Sequence, residues 1–479
     1  MSSSTEPTTP TPTTVFQDTS VTSLYFRWST VADIEPAAKR VAAVFGVVPE
    51  VRDIMAMRAR RLMSGRNPSC GPTEVLLAID PVREKEGNDD YVVSTLFFLK
   101  MEMEVEGCRF SVFQPELVSS DPLYRKQGII RNLFQIAHKR CDEEGIFVQR
   151  IMGIPHFYRR FGYEYATPLL ASRAMLGKHI PALKEDEDEP YILRPSIPDD
   201  IPIISRLHSH GNRRSLLCTY LSPKNLDFFV SEPLYPINPT AGTQSKSTYL
   251  YHTLTDALTE DPVGLVVLWS ERWSENVRVM AVEVDEKKVS LIGALPSLLR
   301  GVKAAAETCT KMKADLSDEV QGLTWTLGEQ HPIYEALGEH KLDPPGKSDA
   351  WYMRVSDHVA FLRTIAPVLE ARLAGSEVCK NWTGKLLINL YTKALKVEFD
   401  GGKFVAAEYT EINWTSRDER ERLADMHVPE LVFVKLLFGV RSLDQLTDMF
   451  TDVDVNSDLK VVVETLFPRK SSTAIPVTL

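Results

Sequence analysis

The residues whose types and spacing can do chemistry lie between Val118 and Ala166. A short run, Glu116-Leu117-Val118, ends in Ser119-Ser120-Asp121-Pro122. Pro122 has no amide hydrogen, so regular strand pairing stops there. Arg125-Lys126-Gln127-Gly128 follows, and Ile129, Ile130, Leu133, Phe134, Ile136, Ala137 and Cys141 recur at helical spacing. The spacing predicts a helix that opens near Gly128. Its first amides have no internal partners and its dipole is positive at that end. Gly128 puts no side chain in the way of an approaching group, and Arg125, Lys126 and Arg131 add full positive charge. A pyrophosphate fits such a turn; so does an ordinary strand-to-helix turn with solvated basic side chains. Ile146–Ile151 then reads as a strand, parallel to its predecessor through a right-handed crossover. The aromatic block His156-Phe157-Tyr158-Arg159-Arg160-Phe161-Gly162-Tyr163-Glu164 comes next. Its Tyr158 is either a proton donor or a core aromatic with a satisfied hydroxyl.

Arg125-x-x-Gly128, followed one strand–helix unit later by Phe157-Tyr158-x-x-Phe161-Gly162-Tyr163, resembles the two signature blocks of the GNAT superfamily of N-acetyltransferases. Ile130 stands where that family usually has Gly or Ala. The turn Arg125–Arg131 is similar to that of the branch containing the enhanced-intracellular-survival aminoglycoside acetyltransferases. The resemblance implies an α/β (α+β) protein with three parts: a GNAT acetyltransferase fold, a second degenerate GNAT-like domain and a sterol-carrier-protein-like α/β domain. It implies acetyl-CoA as co-substrate and no metal. Arg125, Lys126, Gly128, Ile130 and Arg131 would hold the pyrophosphate. Val118 and Ser120 would offer backbone contacts to the pantetheine arm and thioester carbonyl. Tyr158 would protonate the departing thiolate as an amine attacks directly. The general base stays open: the C-terminal carboxylate at Leu479, Glu116, or ordered water. The branch usually ends in an aromatic residue, and this chain ends in Leu479, with Ile475 and Val477 as candidate tail anchors.

The elements that must position these residues follow from periodicity. Residues 1–20 are Ser, Thr and Pro with little to bury and should be disordered. Domain 21–178 opens with two helices, Asp33–Phe45 and Val48–Leu62, the second with an Arg-rich solvated face (Arg58, Arg60, Arg61). Strands follow at Glu74–Ile79, Tyr91–Lys100 and Phe110–Phe113, and Met101–Glu106 alternates apolar and acidic residues as a half-exposed strand. Lys184–Glu189 is a charged linker. A second domain, 190–350, opens at Tyr191–Pro195 and has strands at Tyr249–Thr253, Gly264–Trp269 and Val277–Val284. It also has a helix after Asp199-Asp200, and one from Leu295 to Met312 with Pro296 in its first turn. His331-Pro332-x-Tyr334 reads as a turn. A third domain, 351–479, opens near Trp351, has a helical stripe kinked or restarted at Pro367, a hairpin at Gly401-Gly402, and helices at Leu431–Phe438 and Leu443–Phe450.

The 479 residues are 43% hydrophobic, more than one ordinary core holds. A net charge of −10 disfavours nucleic acid as a partner and suits a cationic one. The six cysteines have no metal-ligand spacing, and in a long chain with no secretory leader they should be reduced and mostly buried. His208 and His210 read as helix-face or loop histidines rather than a metal pair. No apolar run reaches membrane-spanning length. The expectation is a cytoplasmic enzyme acting on a small amine or a lysine, with no membrane span and a homo-oligomer open. The alternative is a catalytically idle acetyltransferase fold that binds lipid or acyl-CoA.

Overall fold

The computed structural model describes residues 24–46, 49–169, 171–231, 235–238, 243–245, 249–313, 315–346, 349–411 and 424–474. The disorder expected of residues 1–20 falls outside them. The chain divides into two compact units. One is built from residues up to Leu99 with Pro115–Arg140 and Ile237–Ala241. The other is built from Lys100–Gln114, Cys141–Pro236 and Gly242–Leu479.

In the first unit, β1 (Tyr25–Trp28) pairs antiparallel with β2 (Val75–Ile79), and β2 with the first half of β3 (Val92–Val105). Helices α1 (Ile34–Phe45) and α2 (Pro49–Leu62) bury Ala37, Ala38, Val41, Ala59 and Leu62. The later half of β4 (Cys108–Ser120) leads through a turn to α4 (Ile129–Glu143), which buries Leu133, Phe134 and Ala137; α3 (Pro81–Lys85) is a single short turn. Two members of the expected solvated arginine face behave differently: Arg60 pairs with Glu35 at the surface, while Arg61 is 7% exposed. A long aliphatic stem lets an arginine lie along a core.

In the second unit, β3 and β4 continue as a hairpin closed by Glu106 and Gly107, both left-handed (φ 46° and 96°), the geometry of a tight primed turn. The alternation in Met101–Glu106 is not a half-exposed strand. β3 pairs with β9 (Leu217–Tyr220), and Glu104 is 8% exposed, held by Arg109 (3.4 Å) and the Asn212 amide (3.1 Å). β4 runs parallel to β5 (Val148–Ile151) at Val112–Phe113, as the crossover required. Strand 349–355 lies between β5 and β6 (Glu164–Leu169). Trp351, expected to open the third domain, is therefore a core residue of the first sheet (0% exposed).

A six-stranded sheet follows, in the order 173–176, 322–325, 276–284, 262–269, 249–256, 191–195. Its elements repeat the order of the first. A strand (β8, Tyr191–Pro195) precedes two helices (α5, Ile201–Asn212, and 223–231), and three antiparallel strands follow. Helix 291–306 then crosses over to a strand, 322–325, that is parallel to its predecessor. The repeat extends to side chains. Arg27 grips Asp33 with both nitrogens (2.7 and 2.8 Å), and Asp33 accepts the Thr30 amide (2.7 Å). Arg194 grips Asp200 in the same way (2.7 and 2.9 Å), and Asp200 accepts the Ile197 amide (2.9 Å). Both motifs read Arg-x-Ser-x-x-x-Asp-Ile in the chain (Arg27–Ile34 and Arg194–Ile201).

Two expectations in this region fail. Helix 291–306 starts earlier than expected, because Ser290 caps the Gly293 amide (3.2 Å), so Pro296 lies inside it rather than in its first turn. His331 is no turn residue; its Nδ1 caps the helix Pro332–Leu337 by accepting the Ile333 amide (3.1 Å). The C-terminal part carries a five-stranded sheet, and Pro367 opens a new helix (366–375) after 358–364, as its missing donor demands. All six cysteines are free and five are buried.

The Asp33 carboxyl is almost fully buried. Burial raises its pKa, but the Arg27 guanidinium, the Tyr91 hydroxyl and the Thr30 amide bring it down to about 2. Its stabilisation is complete above the ordinary carboxylate range and is lost as pH falls through about 2. Asp33→Asn should cost about 2–3 kcal/mol at pH 7 and about half that at pH 3. Urea denaturation at both pH values checks this; an equal cost at each would refute it.

Candidate functional site

β4 departs from strand geometry at one residue. Leu117 is left-handed (φ 43°) inside an otherwise extended, mostly buried strand. Such a backbone persists only when its surroundings hold it. The Thr95 hydroxyl donates to the Leu117 carbonyl (2.8 Å) and lies 2.7 Å from the Ser119 hydroxyl, while Ser94 donates to the Ser119 carbonyl. Side chains of β3 therefore take carbonyls that a regular ladder would give to amides. Ser119 is 1% exposed, and Val118 and Ser120 on the alternate positions are half-buried. The parallel ladder from β4 to β5 ends at Phe113, two residues before Pro115, which has no hydrogen to donate.

The end of β4 is fastened from behind. The Asp121 amide donates to the Val93 carbonyl (2.8 Å), and its carboxylate takes the Arg40 guanidinium (2.9 Å) and the Leu123 amide (2.9 Å). Arg40 and Asp121 are both under 8% exposed, and Arg40 also donates to the Val92 carbonyl (2.8 Å). Tyr124 donates to Asp80 (2.5 Å). Beyond these anchors Arg125, Lys126 and Gln127 are exposed, with Lys126 left-handed (φ 65°). Gly128 is left-handed too (φ 79°), and the space a Cβ would take there is empty to 4 Å. α4 then begins, with no acidic side chain in its first turn and with Arg131 exposed there. Ile129 points into the core (2% exposed) and Ile130 is half-buried. A helix start with left-handed residues ahead of it, open space at glycine and uncompensated basic side chains fits a phosphate group.

The turn residues, Val118, Ser120 and Glu116 all belong to the first unit; Tyr158 belongs to the second. Tyr158 sits on a 3-10 turn, Phe157–Phe161, entered through left-handed His156 (φ 67°) and left through Gly162 (φ 83°). Its ring is 5% exposed and packs edge-on against Phe157 (5.1 Å) and Tyr352 (5.6 Å). A Cβ on Gly153 would overlap that ring, so the glycine fixes where the phenol stands. Tyr352 has no signal in the sequence, since only the insertion of its strand brings it there. Burial pushes its hydroxyl up to about 12, with Tyr165 adding to the rise.

The second sheet lacks a counterpart of the turn. Strand 276–284 leads into Asp285 and Glu286, and the helix N-terminus after them is closed by Ser290. His208 and His210 both lie on α5, His210 beside Glu286 (3.5 Å). Among the described residues no group of three or more His, Cys, Asp or Glu is placed to hold a metal. The chain's last described segment lies along β9: the Leu216 amide donates to the Ser471 carbonyl (2.7 Å), the Thr473 amide to the Leu217 carbonyl (3.0 Å), and Trp351 Nε1 to the Ala474 carbonyl (3.1 Å). Ile475, Val477 and Leu479 lie outside the described residues. No described helix is long and apolar enough to cross a membrane.

Comparison with known proteins bears on the fold. Residues 26–166 match the family model described as an acetyltransferase (GNAT) domain. No curated protein sequence matches the chain. Among solved structures it is similar to a GCN5-related N-acetyltransferase from Anabaena variabilis (TM-score 0.63, 13% identity, covering 94% of this chain and 99% of that one). A GCN5-related N-acetyltransferase from Kribbella flavida is also similar (0.61, 14%, 95% and 99%), as is Eis1 from Mycobacterium abscessus (0.54, 14%, 95% and 99%). At these identities the likeness is one of fold. Residues 26–166 thus have the GNAT fold, followed in the chain by further α/β sheets.

Proposed function

We propose that the chain transfers an acetyl group from acetyl-CoA to a primary amine, either a small polyamine- or aminoglycoside-like molecule or a lysine. The observation that carries this reading is the combination, within one unit, of the left-handed break at Leu117 and the open turn at Gly128. The break frees strand backbone at Val118 and Ser120 for an extended amide-bearing arm. The turn offers Arg125, Lys126, Gly128, Ile130 and Arg131 to its pyrophosphate. Acetyl-CoA supplies an activated thioester, and the chain's residues orient it, polarise its carbonyl through the strand amides and deliver a proton. Tyr158 is the proposed donor, since a phenol, which ordinarily titrates near 10, suits a thiolate leaving group. The Leu479 carboxylate is one proposed base, supported by the hydrogen bonds that fasten Ser471–Ala474 ahead of it. Glu116 is the other.

We propose the three-part division 21–178, 190–350 and 351–479 read from the sequence, with one amendment. The third, sterol-carrier-like domain lends its first strand (349–355) to the first sheet. We propose a cytoplasmic location and leave self-association to measurement.

Tyr158→Phe should lower kcat by roughly 10²–10⁴ while leaving the acetyl-CoA KM near its wild-type value. A CoA-release assay across amines, aminoglycosides and lysine peptides reads it, and undiminished transfer would sink the role. Gly128→Ala forces a side chain into a left-handed backbone, costing about 1–2 kcal/mol. Together with Arg125→Ala it should raise the CoA dissociation constant at least about tenfold. Calorimetric titration with CoA tests this, and an unchanged constant in both variants would remove the phosphate site.

A further inference from the structure

The second sheet opens where strands 276–284 and 322–325 part. Their parallel ladder runs from Asn276 opposite Gly322 to Val279 opposite Trp325 and then ends. Past that point Met280–Glu283 form one wall of a cleft, Leu327 and His331 the other, and the end of α5 a third. This is the repeat's counterpart of the place where the β4–β5 ladder ends. The helix after strand 276–284 is capped by Ser290 and preceded by acids, so the cleft is not built for a pyrophosphate.

Several polar residues line it, Asn212, Ser215, Glu329 and Gln330 among them, and three others bear most directly on binding. Arg214 and Glu283 form an ion pair, with side chains 27% and 11% exposed. A Cβ on Gly211 would collide with the Glu283 carboxylate, so the pair is seated on a residue with no side chain. His208 contributes Nε2, which is buried and has no hydrogen-bond partner. Burial holds that imidazole down to about 4, so it is uncharged at neutral pH. His331 is fully committed, since Nδ1 accepts the Ile333 amide and Nε2 therefore carries the proton given to the Val282 carbonyl (3.0 Å). Met280 and Leu327 add apolar surface to the lining.

An unpartnered buried nitrogen is destabilising, and this one shares a cleft wall with two opposite charges. The Arg214–Glu283 pair has no net charge but offers a separate partner to each end of a dipolar ion. We propose that this cleft binds a small zwitterion of the α-amino acid class. Its carboxylate would lie at Arg214, its ammonium at Glu283, and one further hydrogen bond would go to His208 Nε2. Ser471 and Thr473 also line the cleft, so the ligand would touch the segment that leads to Leu479.

The test is calorimetric titration of the full chain with glycine and L-alanine in the absence of acetyl-CoA. Sodium acetate and methylammonium chloride serve as half-ligands. Saturable binding of the amino acids, at least about tenfold tighter than either half-ligand, is expected, and Glu283→Gln and His208→Leu should each weaken it by about tenfold or more. His208→Leu removes an unpartnered atom and should keep the melting temperature, which separates lost binding from lost folding. Amino-acid binding by a protein that releases no CoA would uphold this cleft and sink the transferase reading alone. Absence of saturable binding, acetate binding as well as L-alanine, or equal affinity in both variants overturns the proposal.

Discussion

The left-handed residue at Leu117 is the constraint on which the site depends. A leucine with positive φ inside a mostly buried strand is unfavourable by itself, on the order of 1–2 kcal/mol. It persists because Ser94 and Thr95, both 0% exposed, bond the carbonyls on either side of Val118. A regular ladder would have consumed the strand's backbone groups in the sheet. At the break, hydroxyls of β3 take the Leu117 and Ser119 carbonyls instead. The same strand end carries Asp121, so the hydroxyl clamp and the Arg40 ion pair set the direction in which the chain enters the turn.

Arg40 and Asp121 show how a buried charge can be stable without being catalytic. Each is under 8% exposed, and each has at least one further backbone partner. Removing either would strand the other charge in a low-dielectric setting, which is more costly than the pair is stabilising. The pair buttresses a turn whose own basic residues are left exposed. That division of labour lets the turn stay charged while its root stays rigid.

The repeat puts the same topology to two uses. Both copies have the Arg–Asp clamp before the first helix, three antiparallel strands, a crossover helix and a parallel strand. They differ where ligand chemistry would occur. The first copy opens its crossover helix with a left-handed glycine and basic side chains; the second with acids and a serine cap. One helix start stands behind open space at glycine, and at the other the Ser290 hydroxyl accepts the Gly293 amide.

The turn from Ser119 to Gly128 and the helix after it were legible in the chain, because local rules govern them: a proline that cannot pair, a glycine that needs positive φ, and apolar residues at helical spacing. The Arg-x-Ser-x-x-x-Asp-Ile repeat is equally local and could have been found by comparing the chain with itself. The break at Leu117 was not legible, since leucine carries no preference for that backbone and the hydroxyls that hold it come from another strand. Nor were the burial of Glu104, the placement of Trp351 and Tyr352 between β5 and β6, or the meeting of His208 with Arg214 and Glu283. Each of these depends on strands and helices far apart in the chain lying side by side. Sequence determined where the chain turns and where its helices begin. Only packing decided which polar groups were buried and which faced a cleft, because burial is a property of neighbours that periodicity does not name.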